Sequence, residues 1–176
     1  MIHWQEGWRR MEAIEALLTR RSVRKLTAES LRTDEIETLL RAAMQAPSAM
    51  NEQPWEFMLV TERKLLDQVP GVHPYAGMAR EAGAAIVVCS DKRRWSTDEF
   101  WAQGCAAAAQ NILLAAHALG LGAVWVGVFP HKERVRGLRR VLGIPDHMMP
   151  FAFIPIGRPA ETPALKSRYT PERVHT

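Results

Sequence analysis

"QAPSAMNEQPWEF", residues 45–57, is where the chain changes period. Before it, Ile36, Leu39, Leu40, Ala43 and Met44 recur at helical spacing and predict a helix over 34–44. Thr33 is the expected cap, and Asp34 and Glu35 suit the positive end. After it, Trp55–Thr61 is a nearly continuous apolar run that reads as a strand buried on both faces. An ordinary connection has about four to six residues. This one is small-sided at Ser48 and Ala49, framed by Pro47 and Pro54, and carries two carboxamides, Asn51 and Gln53. Small side chains let a flat molecule approach the backbone. The Asn51 amide sets a donor beside an acceptor, the complement of a uracil-like ring edge. The prolines reduce the entropy lost on binding. A polar linker is the alternative reading.

Outward from this loop, further apolar runs predict strands at Ala84–Ser90, Ala123–Val128 and Phe151–Ile156. Pro155 cannot donate to a ladder, which puts the last strand at an edge or near its end. Met11, Ile14, Leu17 and Leu18 form one helical stripe, and residues 1–10 read as an extension before a single domain over 11–176. The longest helix is predicted over Thr97–Leu119, with Ser96 and Glu99 as a capping box and Gly120 and Gly122 as stops. On it Gln103, Gln110 and His117 share one narrow line, and nearly everything else is apolar. Such a helix must be covered on most sides, which predicts a second copy of the chain against it. A last helix is expected over 131–142, and 158–176, with three prolines, reads as an arm.

The totals exclude several classes. A 176-residue chain with 47% hydrophobic and 24% charged residues fits one folded domain. No apolar run approaches the roughly 18 residues of a membrane span, and the first ten residues lack the pattern of an export signal. Cys89 and Cys105 lie in apolar surroundings and read as buried thiols. A cytoplasmic protein is expected. The six histidines show no metal-ligand spacing. Gly120 and Gly122 follow a helix and precede a strand, the reverse of a dinucleotide fingerprint. No nucleophile motif stands out. A net charge of +4 admits an anionic partner or a solvated basic surface. Basic residues do not alternate with aromatics as a base-stacking surface requires, so nucleic acid is not the expected partner.

"RRSVRKL", 20–26, is more specific. If extended, it sets Arg20, Ser22 and Arg24 on one face and turns Val23 inward. Arginine and hydroxyl donors suit phosphate oxygens, at roughly 1.5–3 kcal/mol for each charge-assisted bond. A solvated basic turn is the alternative. Lys166 and Arg168 form a second basic pair far away in the chain. Phosphate donors and a ring-edge reader together suggest flavin mononucleotide.

In order, "RRSVRKL", "APSAMNEQPWEF", "GLGAVWVGV", "PIGRP" and "KSR" resemble the flavin-dependent nitroreductase family, from about Met11 to the C-terminus. The resemblance implies an α+β fold, a central mixed β-sheet flanked by helices. It also implies a tight homodimer whose long helices pack together, with two FMN molecules between the chains. Arg20, Arg21 and Ser22 would lie near the phosphate, with Arg24 nearer the pyrimidine end. Pro47, Ser48, Ala49, Met50 and Asn51 would come from the other chain, with Gln53 close behind. Trp125, Val126 and Gly127 would line the ring, and Lys166 and Arg168 would complete the phosphate site. The implied activity is ping-pong, with NAD(P)H as reductant and a nitroaromatic, quinone or other electron-poor small molecule as acceptor. No side chain is needed as proton donor, so no catalytic residue is named. A specialised flavin reaction such as dehalogenation or flavin breakdown, and a flavin carrier without turnover, fit the same cradle. Larger members place an Asn and a Lys against the ring just before the second strand. "HPYAGMAREAGAAIVV" shows no counterpart.

Overall fold

A computed structural model describes residues 11–176 of the protein, and the extension expected at 1–10 lies outside the described residues. Strand β6, Met148–Pro159, is the spine of the sheet. The strand β3, Ala84–Asp91, runs antiparallel along it from Ala84 opposite Ile156 to Asp91 opposite Met148. Outside β3 lies β2, Trp55–Val60, and beyond the other side of β6 lies β1, Leu26–Thr27, giving the order β1-β6-β3-β2. Two short strands, β4 at Gly122–Ala123 and β5 at Val126–Gly127, also pair with β6. The expected α+β class with a helix-flanked central sheet holds; of the mixed sheet, the described residues show antiparallel ladders.

All eight residues of β3 are buried, because both faces of the sheet are covered. Alternation along the strand sorts them. Ile86 and Val88 join Leu39 and Ala43 of α2, Thr33–Met44, and Cys105, Ala108 and Ile112 of α4, Trp101–Ala118. Ala85, Val87 and Cys89 join Leu66 of α3, Arg63–Gln68, and Leu138 and Leu142 of α5, Lys132–Leu142. Each fully buried Leu or Ile contributes about 1.5–3 kcal/mol.

Several expectations are corrected. Pro155 sits inside the central strand, opposite Ala85, rather than at an edge or an end. Extending the β4 register puts Val124 opposite Pro155, and there the predicted strand 123–128 breaks into β4 and β5. The residue that lacks an N–H thus faces the interruption. Arg32, not Thr33, caps α2, and its N–H donates to the Glu35 carboxylate at 2.8 Å. Helix α4 starts at Trp101 rather than Thr97, without the Ser96–Glu99 box. The Ser96 N–H is instead donated to the Glu52 carboxylate at 2.9 Å, tying this segment to the 45–57 loop. Gly122 is not a helix stop. A Cβ there would come within 2.8 Å of the Val23 side chain, so glycine lets the 20–26 segment lie against β4.

Helix α1, Ala13–Thr19, buries only Ala16. Ile14, Leu17 and Leu18 are 66%, 54% and 70% exposed, so its apolar stripe has no cover within the described chain. On α4, Gln103 is exposed and Gln110 and His117 are half-buried, while Trp101, Cys105, Ala108, Ile112 and Ala116 face the core. Among the described residues no helix is long and apolar enough to cross a membrane.

Candidate active site

The chain leaves α1 at Thr19 and runs through Arg20–Lys25 to β1. The Val23 N–H donates to Ala123 O at 3.0 Å, which turns Val23 inward onto Gly122 as expected. The Arg21 guanidinium donates to Leu18 O, to Arg20 O and, across the fold, to Lys166 O at 2.8 Å. That last bond brings the C-terminal arm onto the first basic segment. Burial lowers the Arg20 pKa, and the charges of Arg168 and Arg21 lower it further. The two basic clusters, 145 residues apart at Arg21 and Lys166, therefore meet in one chain. Among the described residues no carboxylate pairs with Arg20, Arg21 or Arg168. Arg21 Nε is buried with no hydrogen-bond partner.

His117 stands beside this cluster. Thr19 Oγ1 donates to Glu15 O, so His117 Nε2, 2.8 Å away, carries the hydrogen and donates to Thr19. Burial lowers the imidazole pKa, with the Arg20 and Arg21 charges adding and Glu15 opposing. The cluster thus already repels a fourth cation.

Arg24 points to a different place. It lines a cleft of about 270 Å³ together with Trp125, Val126 and Gly127, the grouping expected at the ring end. Trp125 is held edge-on by Phe151, with ring centroids 5.5 Å apart. Five further members were not foreseen: the apolar Met78 and Val124, and the polar His73, Tyr75 and Arg134. The Tyr75 N–H donates to His73 Nδ1 at 3.2 Å, so the His73 Nε2–H donates to Gly127 O at 2.9 Å. Burial lowers the His73 pKa; the bond to Gly127 opposes this, and the Arg134 charge reinforces it. Arg134 donates to the same Gly127 oxygen at 2.9 Å. His73, a lone buried histidine within "HPYAGM", has no local sequence signature that marks it. Glu161 was also missed. Its Oε1 accepts from the N–H groups of Arg24 and Lys25, which fixes the start of the arm beneath Arg24 and lowers the carboxyl pKa.

The amide loop is a rigid object. A 3-10 turn spans Ala49–Asn51, and the Gln53 N–H donates to Ser48 Oγ at 2.9 Å. Met50, Asn51 and Gln53 have φ of +51°, +54° and +49°. Left-handed backbone costs a residue with a Cβ roughly 1–2 kcal/mol, and such strain gathers at binding sites. Pro47, Met50, Asn51 and Gln53 are exposed, and Ser48 and Ala49 are half-buried. No residue of 47–53 lines the Arg24 cleft or the cleft beside Arg21 and His117. Within one chain, then, the structure joins Arg20, Arg21 and Arg168, and separately Arg24 with Trp125–Gly127, but leaves the amide loop apart.

The nitroreductase family model matches residues 17–72 and 72–158. A protein of Methanothermobacter thermautotrophicus, named for NADH dehydrogenase/NAD(P)H nitroreductase, is 48% identical over 174 residues, 99% of this chain and 91% of its own length. A crystal structure of a protein so named from Parabacteroides distasonis superposes with a TM-score of 0.88 at 42% identity, covering 93% of this chain and 96% of the other. A nitroreductase from Desulfovibrio desulfuricans, solved in complex with FMN, superposes with a TM-score of 0.81 at 30% identity, covering 94% and 96%. Agreement in sequence and fold along nearly its whole length leaves one conclusion: the chain belongs to the nitroreductase family.

Proposed function

We propose that the protein is an FMN-dependent homodimeric oxidoreductase that uses NAD(P)H to reduce nitroaromatics, quinones or similar electron-poor compounds. The observation that carries this reading is the meeting of Arg20, Arg21 and Arg168 with no described carboxylate among them and a buried, unpartnered Arg21 Nε. Crowded guanidinium groups in a half-buried place call for an anion, and a phosphate offers bidentate acceptance. FMN fits these donors. FMN, when bound, would supply the two-electron hydride chemistry between NAD(P)H and the acceptor.

The chain's own residues do the rest. Arg20, Arg21, Ser22, Lys166 and Arg168 would hold the phosphate. Arg24 would meet the pyrimidine end, and Trp125, Val126 and Gly127 would flank the ring. His73, its tautomer set by the Tyr75 N–H, fastens the Gly127 carbonyl and so keeps that wall still. No side chain is assigned a proton transfer. The loop Pro47, Ser48, Ala49, Met50 and Asn51, followed by Gln53, closes the site of the second copy. Two features support the dimer. The stripe of α1 is exposed, and a groove lined by Ala16, Leu17, Ala42, Leu114 and Ala118 runs between α1, α2 and α4.

The test is steady-state consumption of NADH and NADPH by the FMN-loaded protein with a simple quinone. Parallel double-reciprocal lines, the mark of a ping-pong cycle, are the expected result. An FMN complex that consumes neither nicotinamide would make the protein a carrier instead of an enzyme.

A further inference from the structure

We propose that Arg134, on α5, is a second cation of the ring-end cleft and, with Arg24, favours the reduced over the oxidised form of the bound flavin. The inference rests on the FMN reading and adds to it a residue that lies outside every motif above.

Helix α5 is pressed against the segment just before His73. A Cβ at Gly137 would come within 2.7 Å of the Val72 side chain, so glycine sets this close approach. The approach places Arg134, one turn earlier on α5, beside the His73–Tyr75 segment. Its guanidinium is then held twice, by the bond to Gly127 O at 2.9 Å and by the Tyr75 ring, whose centroid is 5.3 Å from the guanidinium carbon. The group is half-buried and belongs to no described ion pair. Glu133, its acidic neighbour on α5, pairs with Arg136 instead. The cleft walls hold Arg24, Met78, Val124, Trp125 and Val126 but no Asp or Glu. A fixed cation without a counter-ion therefore faces the same cleft as Arg24.

The charge balance gives this placement a consequence. Hydride from NAD(P)H adds two electrons and one proton to a neutral ring, which leaves one negative charge, while the nicotinamide departs as NAD(P)+. Arg134 gains a partner only in the reduced form, so it binds that form differentially. The ratio of affinities for the two forms is a potential difference. A tenfold ratio is about 30 mV for a two-electron couple.

The experiment compares wild type, Arg134→Gln and Arg134→Lys by FMN titration and by dye-coupled reduction potential. Arg134→Gln should bind oxidised FMN within about threefold of wild type, while its potential falls by about 30 mV, a tenfold loss specific to the reduced form. Arg134→Lys should restore most of the shift. An unchanged potential in Arg134→Gln would overturn the proposal. So would equal weakening of both forms, which marks a merely structural role. Arg134→Met, of similar reach, repeats the measurement if the glutamine variant folds poorly. A wild type that binds no FMN would overturn the FMN reading itself, a separate outcome from a bound flavin with an unmoved potential.

Discussion

Met50, Asn51 and Gln53 hold left-handed backbone in a loop with no glycine, which sets strain against a fixed display of exposed groups. Met50→Gly should raise stability by up to about 1 kcal/mol, read as a higher urea midpoint, because glycine adopts that conformation freely. Asn51→Ala removes the amide and adds some strain, since Asn tolerates the left-handed region better than Ala. It should weaken FMN binding about tenfold, which is about 1.4 kcal/mol; unchanged affinity would remove the loop from the site. The amides were legible in the sequence, since their residue types announce hydrogen bonding. Their backbone was not, since no glycine advertised it. Glu35 makes a different point. The residue is 2% exposed, and its carboxylate accepts from Arg158 at 2.7 and 3.1 Å. Burial works to raise its pKa, but the bonds from Arg158 and the Arg32 N–H outweigh it and hold the carboxyl below its ordinary 4.5. A carboxylate depressed in the fold stabilises fully above its unfolded value, and that stability is lost as pH falls through the folded one. Glu35→Gln should cost about 3 kcal/mol at pH 7 and flatten the decline below pH 4.5. Urea unfolding at pH 7 and pH 4 measures both effects, and identical pH dependence in the two proteins would contradict them.

Among the elements, α2, α5, β2 and β3 were readable because their periods are carried by their own residues. The β4–β5 interruption was not, because it answers Pro155 in a neighbouring strand. The start of α4 was not either, because a contact with Glu52 diverts Ser96. The site divides along the same line. Arg20, Arg24 and Trp125–Gly127 sit in recognisable motifs, whereas Arg134, His73 and Glu161 reach the site only through tertiary packing. Helix α1 shows its stripe in sequence and leaves it exposed in the fold. Leu18→Glu should shift sedimentation toward monomer and reduce FMN binding with it, since the second copy's loop departs. A wild type already monomeric at micromolar concentration would refute the dimer. The arm is the other element to test. Arg168→Ala keeps the Arg21 bond to the Lys166 carbonyl yet removes one guanidinium. FMN affinity should fall roughly 10–100-fold, the worth of one charge-assisted bond.

At the scale of the molecule, the sheet serves as a bench with its site at one rim. β4 and β5 bring Trp125–Gly127 to the spine strand, the 20–26 segment crosses β4, and the arm returns over both through Arg21 and Glu161. In the proposed reading one chain supplies the phosphate grip and one wall of the ring cleft, and the amide loop, which lines neither cleft of its own chain, serves a second chain. That division is the central claim, and a crystal structure of the protein grown with FMN tests it most directly. The account predicts phosphate among Arg20, Arg21, Ser22, Lys166 and Arg168, the ring along Trp125–Gly127, and residues 47–53 of the second copy across the ring. Phosphate density elsewhere, or a ring contacted by one chain alone, would contradict it.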